Sequence, residues 1–163
     1  MEKKLRKYQS MLICWGWGVV LLCAWDVIDL ILQFYAIPEA VRASYSGEAV
    51  PESYITISIV ISVVLACLLI FLRLLVSRAS ILFAEEKKNK KGFILLSIIL
   101  LAIQIFSAYQ SFISITDPNV VANYSQFAFE IFSVLVIIAL IITSLLVIST
   151  KNKIKKGAEE KGV

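Results

Sequence analysis

The chain has 163 residues, of which 60% are hydrophobic and only 17% are charged. An average soluble domain is about 45–50% apolar and about 25% charged, and a small domain cannot remove so much apolar surface from water. The composition therefore excludes a water-soluble domain and predicts a single membrane-embedded one. The net charge of +4 does not indicate nucleic-acid binding, because no motif or aromatic pattern accompanies the lysines.

Four apolar runs follow one another along the chain, at residues 11–37, 54–76, 93–115 and 127–149. Each run is close to or longer than the ~20 residues that a helix needs to cross a hydrocarbon core of ~30 Å. A helix is also the open-ended structure that satisfies its own backbone hydrogen bonds in lipid. The sequence predicts an all-α, polytopic bundle of four transmembrane helices over residues 1–150.

The segments between and after these runs contain residues that end helices. Pro38, Pro51 and Pro118 all lie between runs, which predicts helix ends and loops there, because proline lacks a backbone N–H. Residues 151–163 are polar and basic. We expect them to form a frayed cytosolic tail.

The basic residues lie on one side of the predicted membrane. Of the 16 Lys and Arg residues, Arg42 alone falls in the loop after the first run or the loop after the third. The positive-inside rule then predicts that both termini are cytosolic. The abundance of Ile and Lys is typical of a bacterial cytoplasmic membrane protein. We expect lipid headgroups to contact a group of basic side chains: Lys3, Lys4, Arg6, Lys7, Arg73, Lys87, Lys88, Lys90 and Lys91.

Polar side chains recur on one face of each of the four runs. A charged Asp at the centre of a membrane helix costs ~2.5–3.5 kcal/mol, so these faces should turn towards the interior of the bundle. Carboxylates bind hard cations and relay protons, and three of them at similar depth should share a proton. The candidate cation- or proton-binding residues are Asp26, Asp29, Gln33, Gln104, Ser107, Ser111 and Glu130.

Two other interpretations of the acids stay open. They can hydrate near the outer interface or hold the bundle together by hydrogen bonds, or they can pair with a polar group of a partner membrane protein. Arg73 lies about one turn from the cytosolic end of the second run. A long basic side chain there is expected to extend to the headgroups and to be too far from the acids to pair with them.

No catalytic motif is present. The chain has no histidine, and no P-loop, GxSxG, HExxH or dinucleotide fingerprint, so we expect neither enzymatic activity, nor a metal, nor a cofactor. Its three cysteines fall in apolar runs without a CxxC pair, as expected of packing residues.

The function that the sequence favours is a cation- or proton-linked transporter or channel, or a subunit of a transport complex. The alternative is a non-transporting accessory, regulatory or immunity-type interaction protein. The lipid bilayer is the expected environment, and a homo-oligomer or a larger membrane-protein complex is the expected assembly. The direction in which the acids face discriminates the two functions, because a transporter needs them inside the bundle.

Overall fold

A computed structural model describes residues 2–44, 51–86, 92–116 and 124–159, without the side chains at 33, 36, 37, 39–44, 158 and 159. The described chain forms four helices: α1 (Glu2–Ser44), α2 (Glu52–Ala84), α3 (Gly92–Thr116) and α4 (Tyr124–Glu159). All four are long enough and apolar enough to cross a membrane. The predicted all-α architecture of four long helices is confirmed.

The helices extend beyond the apolar runs. Helix α1 begins near the N-terminus and continues through Pro38, so the prediction that Pro38 marks a break is wrong. A proline removes one backbone hydrogen bond, and the remaining bonds of a 43-residue helix carry the helix past it. Pro51 does precede the first residue of α2, as predicted, and Pro118 lies outside the described residues.

Helix α4 also continues past its apolar run. It runs through Lys151 to Glu159, where a frayed tail was predicted. Lysine, glutamate and alanine are good helix formers in water, and lysines near a helix C-terminus interact favourably with the helix dipole. The basic segment after the apolar run therefore extends the helix instead of ending it.

The four helices form an up-and-down ring in which each packs against its neighbours in the chain, and α4 closes the ring against α1. One end of the bundle, called here the basic end, holds the start of α1 and the ends of α2 and α4. Helices α2 and α3 share the smallest contact in the ring, near the basic end, where Phe83 and Phe93 lie with ring centroids 5.3 Å apart.

The hydrophobic core is concentrated towards the basic end. In α2 the buried residues begin only at Arg73, and the helix from Glu52 to Leu72 contributes none. The bundle is therefore tightly packed at the basic end and opens towards the opposite end. The core consists of Leu12, Val19, Leu22, Val76, Phe83, Ala84, Phe93, Leu100, Val136, Ile137, Leu140 and Val147.

A glycine lies at a tight contact between α1 and α2. A Cβ placed on Gly16 would lie 2.8 Å from Ile81 Cγ1 and 3.0 Å from Ser80 Oγ, so a larger residue does not fit without displacement. The Ser77 hydroxyl donates a hydrogen bond of 2.8 Å to the Gly16 carbonyl. Small residues of this kind let membrane helices approach closely.

Glu86 joins three segments at the basic end. It lies two residues after α2 with a φ of 61°, a left-handed conformation common where helices end. Gln9 Nε2 donates a hydrogen bond of 3.0 Å to Glu86 Oε1, and Lys151 Nζ lies 3.2 Å from the same oxygen. Lys151 also stands over the Phe83 ring, 5.1 Å from its centroid. The polar extension of α4 is thereby connected to α1 and to the end of α2.

Candidate binding site within the bundle

A cavity of about 540 Å³ lies in the open half of the bundle. Residues of all four helices line it. Nine of the 17 lining residues are apolar, and five of these are leucines. The charged and amide-bearing residues that line it are Asp26, Asp29, Arg73, Gln104, Gln126 and Glu130.

Arg73 and Asp26 form an ion pair at the floor of the cavity. Arg73 Nη1 donates a hydrogen bond to Asp26 Oδ2 at 2.5 Å. The Arg73 side chain is 1% exposed and that of Asp26 is 12% exposed. The guanidinium is therefore enclosed by protein and does not extend to the end of the helix.

This pair corrects the prediction that Arg73 contacts headgroups and lies too far from the acids. The prediction placed the end of the second helix at Val76, whereas α2 continues to Ala84. Arg73 thus lies 11 residues (84 − 73) from the helix end, a distance of ~16 Å at 1.5 Å per residue. In the antiparallel pair of α1 and α2, that level is also the level of Asp26.

Glu130 is held from the neighbouring helix. It is 9% exposed, and Ser107 Oγ on α3 donates a hydrogen bond of 2.7 Å to its Oε1. Its second oxygen, Oε2, is buried and has no hydrogen-bond partner within the described part of the chain. A buried carboxylate oxygen without a donor is costly, so this atom is available to a ligand or to a proton.

Two more buried polar atoms beside the cavity lack partners among the described residues. One is Gln104 Oε1, on a side chain that is 1% exposed, and the other is Arg73 Nε. Gln104 precedes Ser107 by three residues, so both lie on the same face of α3. Two buried acceptor oxygens, from Gln104 and Glu130, and one buried donor therefore belong to side chains that line the cavity.

The carboxylates outnumber the cation. Asp29 lines the cavity with Asp26 and Glu130, and the three carboxylates are close enough to act on one another electrostatically. Arg73 is the only Lys or Arg among the described residues that line the cavity. With all acids ionised, the lining carries a formal charge of −2, from three carboxylates and one guanidinium.

The structure brings most of the predicted polar residues together. Asp26, Asp29, Gln104, Ser107 and Glu130 all line the cavity. Ser111 lies one turn further along α3, half-buried and outside the lining, while the side chain of Gln33 lies outside the described residues. Whether the assembled residues bind a cation or a proton stays a prediction.

The aromatic part of the site and its cation were not predicted from the sequence. Trp25 and Phe129 line the cavity and stack with ring centroids 5.1 Å apart. Nothing in their spacing distinguishes them from lipid-facing aromatics. Arg73 carried a detectable signal, since an apolar segment continues on both sides of this charge.

The predicted headgroup residues fall into two groups apart from Arg73. Lys3, Lys4, Arg6 and Lys7 are exposed in the first turns of α1, and their contact with lipid stays a prediction. The other four lie outside the described residues: Lys87, Lys88, Lys90 and Lys91. Of the cysteines, Cys23 is buried, whereas Cys14 and Cys67 are exposed on the bundle surface.

In the described helices, no group of three or more His, Cys, Asp or Glu side chains is arranged to hold a metal ion. No protein-family model matches the chain, and comparisons with curated proteins and with solved structures found no match either.

Proposed function

We propose that the chain is a multi-pass protein of a bacterial cytoplasmic membrane, with four transmembrane helices and both termini in the cytosol. Four helices of sufficient length and apolarity support insertion, and the charge asymmetry supports the orientation. A C-terminal fluorescent-protein fusion should fluoresce, and a C-terminal alkaline-phosphatase fusion should be inactive. Active phosphatase at the C-terminus would contradict the orientation.

We further propose that the protein is a cation- or proton-linked transporter, or the membrane subunit of a transport complex. The observation that carries this proposal is the buried Glu130 oxygen without a partner among the described residues, in a cavity that also holds the Arg73–Asp26 ion pair. Ionisable residues within membrane segments are expensive, and they mark ion pathways and proton relays.

The residues divide into fixed and exchangeable groups. Asp26 is occupied by Arg73, so it shapes the field in the cavity and keeps the guanidinium neutralised. Glu130 has one oxygen fixed by Ser107 and one open to exchange. We assign Glu130 as the carboxylate that takes up and releases the cation or proton, with Ser107 as the residue that orients it.

The packing supports access from one side. Close contacts at the basic end, around Gly16 and Ser77, close the bundle towards the cytosol in the proposed orientation. The cavity lies in the half that opens to the other side. This arrangement corresponds to an outward-facing state, in which a solute reaches Glu130 from outside.

Flux across liposomes tests the proposal. Purified protein should conduct protons or K⁺ down an imposed gradient, and Glu130→Gln should abolish the flux, because the amide carries no charge and does not titrate near neutral pH. Glu52→Gln is the matched control, since Glu52 is an exposed acid at the start of α2 and does not line the cavity. Equal flux through Glu130→Gln and wild type would refute the role of Glu130.

The alternative is an interaction protein, and one observation favours it. The part of α2 from Glu52 to Leu72 contains no buried residue, so a helix of a partner or of a second copy has room to pack there. The intact mass of the complex purified from its native membrane discriminates the two. A stoichiometric second protein without any intrinsic flux would favour the accessory function.

A further inference from the structure

The cavity has properties that go beyond a generic cation site, and this inference rests on the proposed function. Its volume of about 540 Å³ falls in the range of about 300–1,000 Å³ that is typical of sites for small organic molecules. A proton neutralises a carboxylate but fills no such volume. The ligand class must therefore account for the apolar walls as well as the charge.

Among the described residues that line the cavity, the unpartnered polar groups include two acceptors, which a ligand with hydrogen-bond donors would satisfy. Glu130 Oε2 and Gln104 Oε1 are buried acceptors without a donor among the described residues, and both side chains line the cavity. They lie close together, because Ser107, one turn from Gln104 on α3, contacts Glu130 directly. A primary ammonium group has three N–H donors and one positive charge, which matches two acceptors and an excess of carboxylates.

The remaining lining of the cavity is suited to an apolar part of a ligand. Leu65, Leu69 and Ile103 line the cavity together with the stacked rings of Trp25 and Phe129. Aromatic faces attract cations and pack against flat or aliphatic groups. A hydrated inorganic cation would gain little from these residues, and hard cations need several oxygen ligands in one shell, which the described carboxylates do not form.

We propose that the cavity binds a small organic cation, consisting of a primary ammonium group on an apolar body. The ammonium group donates hydrogen bonds to Glu130 and Gln104, and the body packs between the leucines and the Trp25–Phe129 stack. The Arg73–Asp26 pair forms the floor of the site.

Binding of two isosteric probes tests the proposal without any change to the site. The protein, in nanodiscs of neutral phosphatidylcholine, carries Trp15→Phe and Trp17→Phe so that Trp25 is the only tryptophan. The fluorescence emission of Trp25 is followed during titration with 2-phenylethylamine and with 2-phenylethanol. The same titration of empty nanodiscs corrects for partition of the probes into lipid. We expect saturable binding of the amine with a Kd at least about tenfold below that of the alcohol, or about 1.4 kcal/mol.

Substitution then locates the charge that the amine recognises. Glu130→Gln should raise the Kd of the amine by about tenfold, to the level of the alcohol, and Glu52→Gln should leave it unchanged. Equal affinity for amine and alcohol in the otherwise intact protein would overturn the proposal, as would amine binding unaffected by Glu130→Gln.

The flux assay separates this inference from the proposed function. Glu130-dependent flux of protons or K⁺ without selective amine binding would refute the organic ligand and leave the transport function standing. The absence of both flux and amine binding would refute the two together. Amine binding without flux would support the ligand class and favour a binding or sensing function over transport.

Discussion

Asp26→Asn should destabilise the protein strongly, because it leaves the Arg73 guanidinium buried without its partner. A guanidinium is not deprotonated in proteins, so the charge persists in the variant. Two unit charges about 4 Å apart interact by ~4 kcal/mol at an effective dielectric constant of about 20. Removal of one partner from a buried ion pair costs about 3–5 kcal/mol. The exposures of 1% and 12% place this pair among the buried ones.

A double variant separates the loss of the pair from the loss of a side chain. Asp26→Asn combined with Arg73→Met removes both charges, and exchange of a buried ion pair for uncharged residues is often nearly neutral. We expect the double variant to lie within about 1–2 kcal/mol of wild type, far above the single variant. Arg78→Met is the matched control for Arg73→Met, since Arg78 is exposed on the same helix, and it should change stability by less than about 0.5 kcal/mol.

Unfolding by sodium dodecyl sulfate in mixed micelles, followed by far-ultraviolet circular dichroism, measures these differences. The effects of the two changes should be non-additive, with a coupling of at least about 2 kcal/mol. If Asp26→Asn cost less than about 1 kcal/mol, the guanidinium would be hydrated or paired elsewhere. The ion pair would then not be the fixed floor of the cavity.

Three further outcomes are expected. Gly16→Ala should lower stability by about 1–3 kcal/mol through overpacking, while Gly18→Ala, whose Cβ would meet its nearest neighbour at 3.5 Å, should be neutral; equal thermal shifts of the two variants would argue against a tight seam. Ser107→Ala should reduce Glu130-dependent flux by about tenfold, since a hydrogen bond to a charged group contributes about 1.5–3 kcal/mol; unchanged flux would remove Ser107 as the orienting residue. The hydrogen bond from Lys151 lowers the pKa of Glu86 below its ordinary value of 4.5. The contribution of the Glu86–Lys151 ion pair to stability is therefore present above pH 4.5 and lost as the pH falls through the lowered pKa. The stability difference between wild type and Glu86→Gln, at most about 1 kcal/mol for so exposed a pair, should disappear in acid. A difference that is constant with pH would exclude this ion pair as its source.

The number and class of the helices follow from the sequence, but their ends do not. Apolar runs report only the part of a helix that avoids water. Helices α1 and α4 continue into polar residues as far as Glu2 and Glu159, where hydropathy carries no signal and helix propensity in water decides. The continuation through Pro38 depends on the flanking hydrogen bonds of a long helix, which a rule about single residues does not register.

The part of the site that the sequence predicted is the part that follows from the cost of placing a charge in lipid. The cost of a charge in lipid places Asp26, Asp29 and Glu130 inside the bundle without any knowledge of packing. The partner of Asp26 was missed because the level of Arg73 depends on where α2 ends. The volume of the cavity was also beyond prediction, because it depends on how the four helices pack together, which is a property of the assembled bundle.

The tight contact between Gly16 and Ser77 is a point near the basic end about which α2 can tilt as a rigid body. From Ser77 to Glu52 the helix spans 25 residues, a length of ~37 Å at 1.5 Å per residue. A tilt of about 10° about this contact moves the start of α2 by roughly 6 Å over that length, while the atoms at the contact barely shift. A closure of the cavity by such a tilt would leave the core packing at the contact unchanged, and spin labels at Ser53 and Ser114 should then report a change in the distance between α2 and α3 when ligand is added.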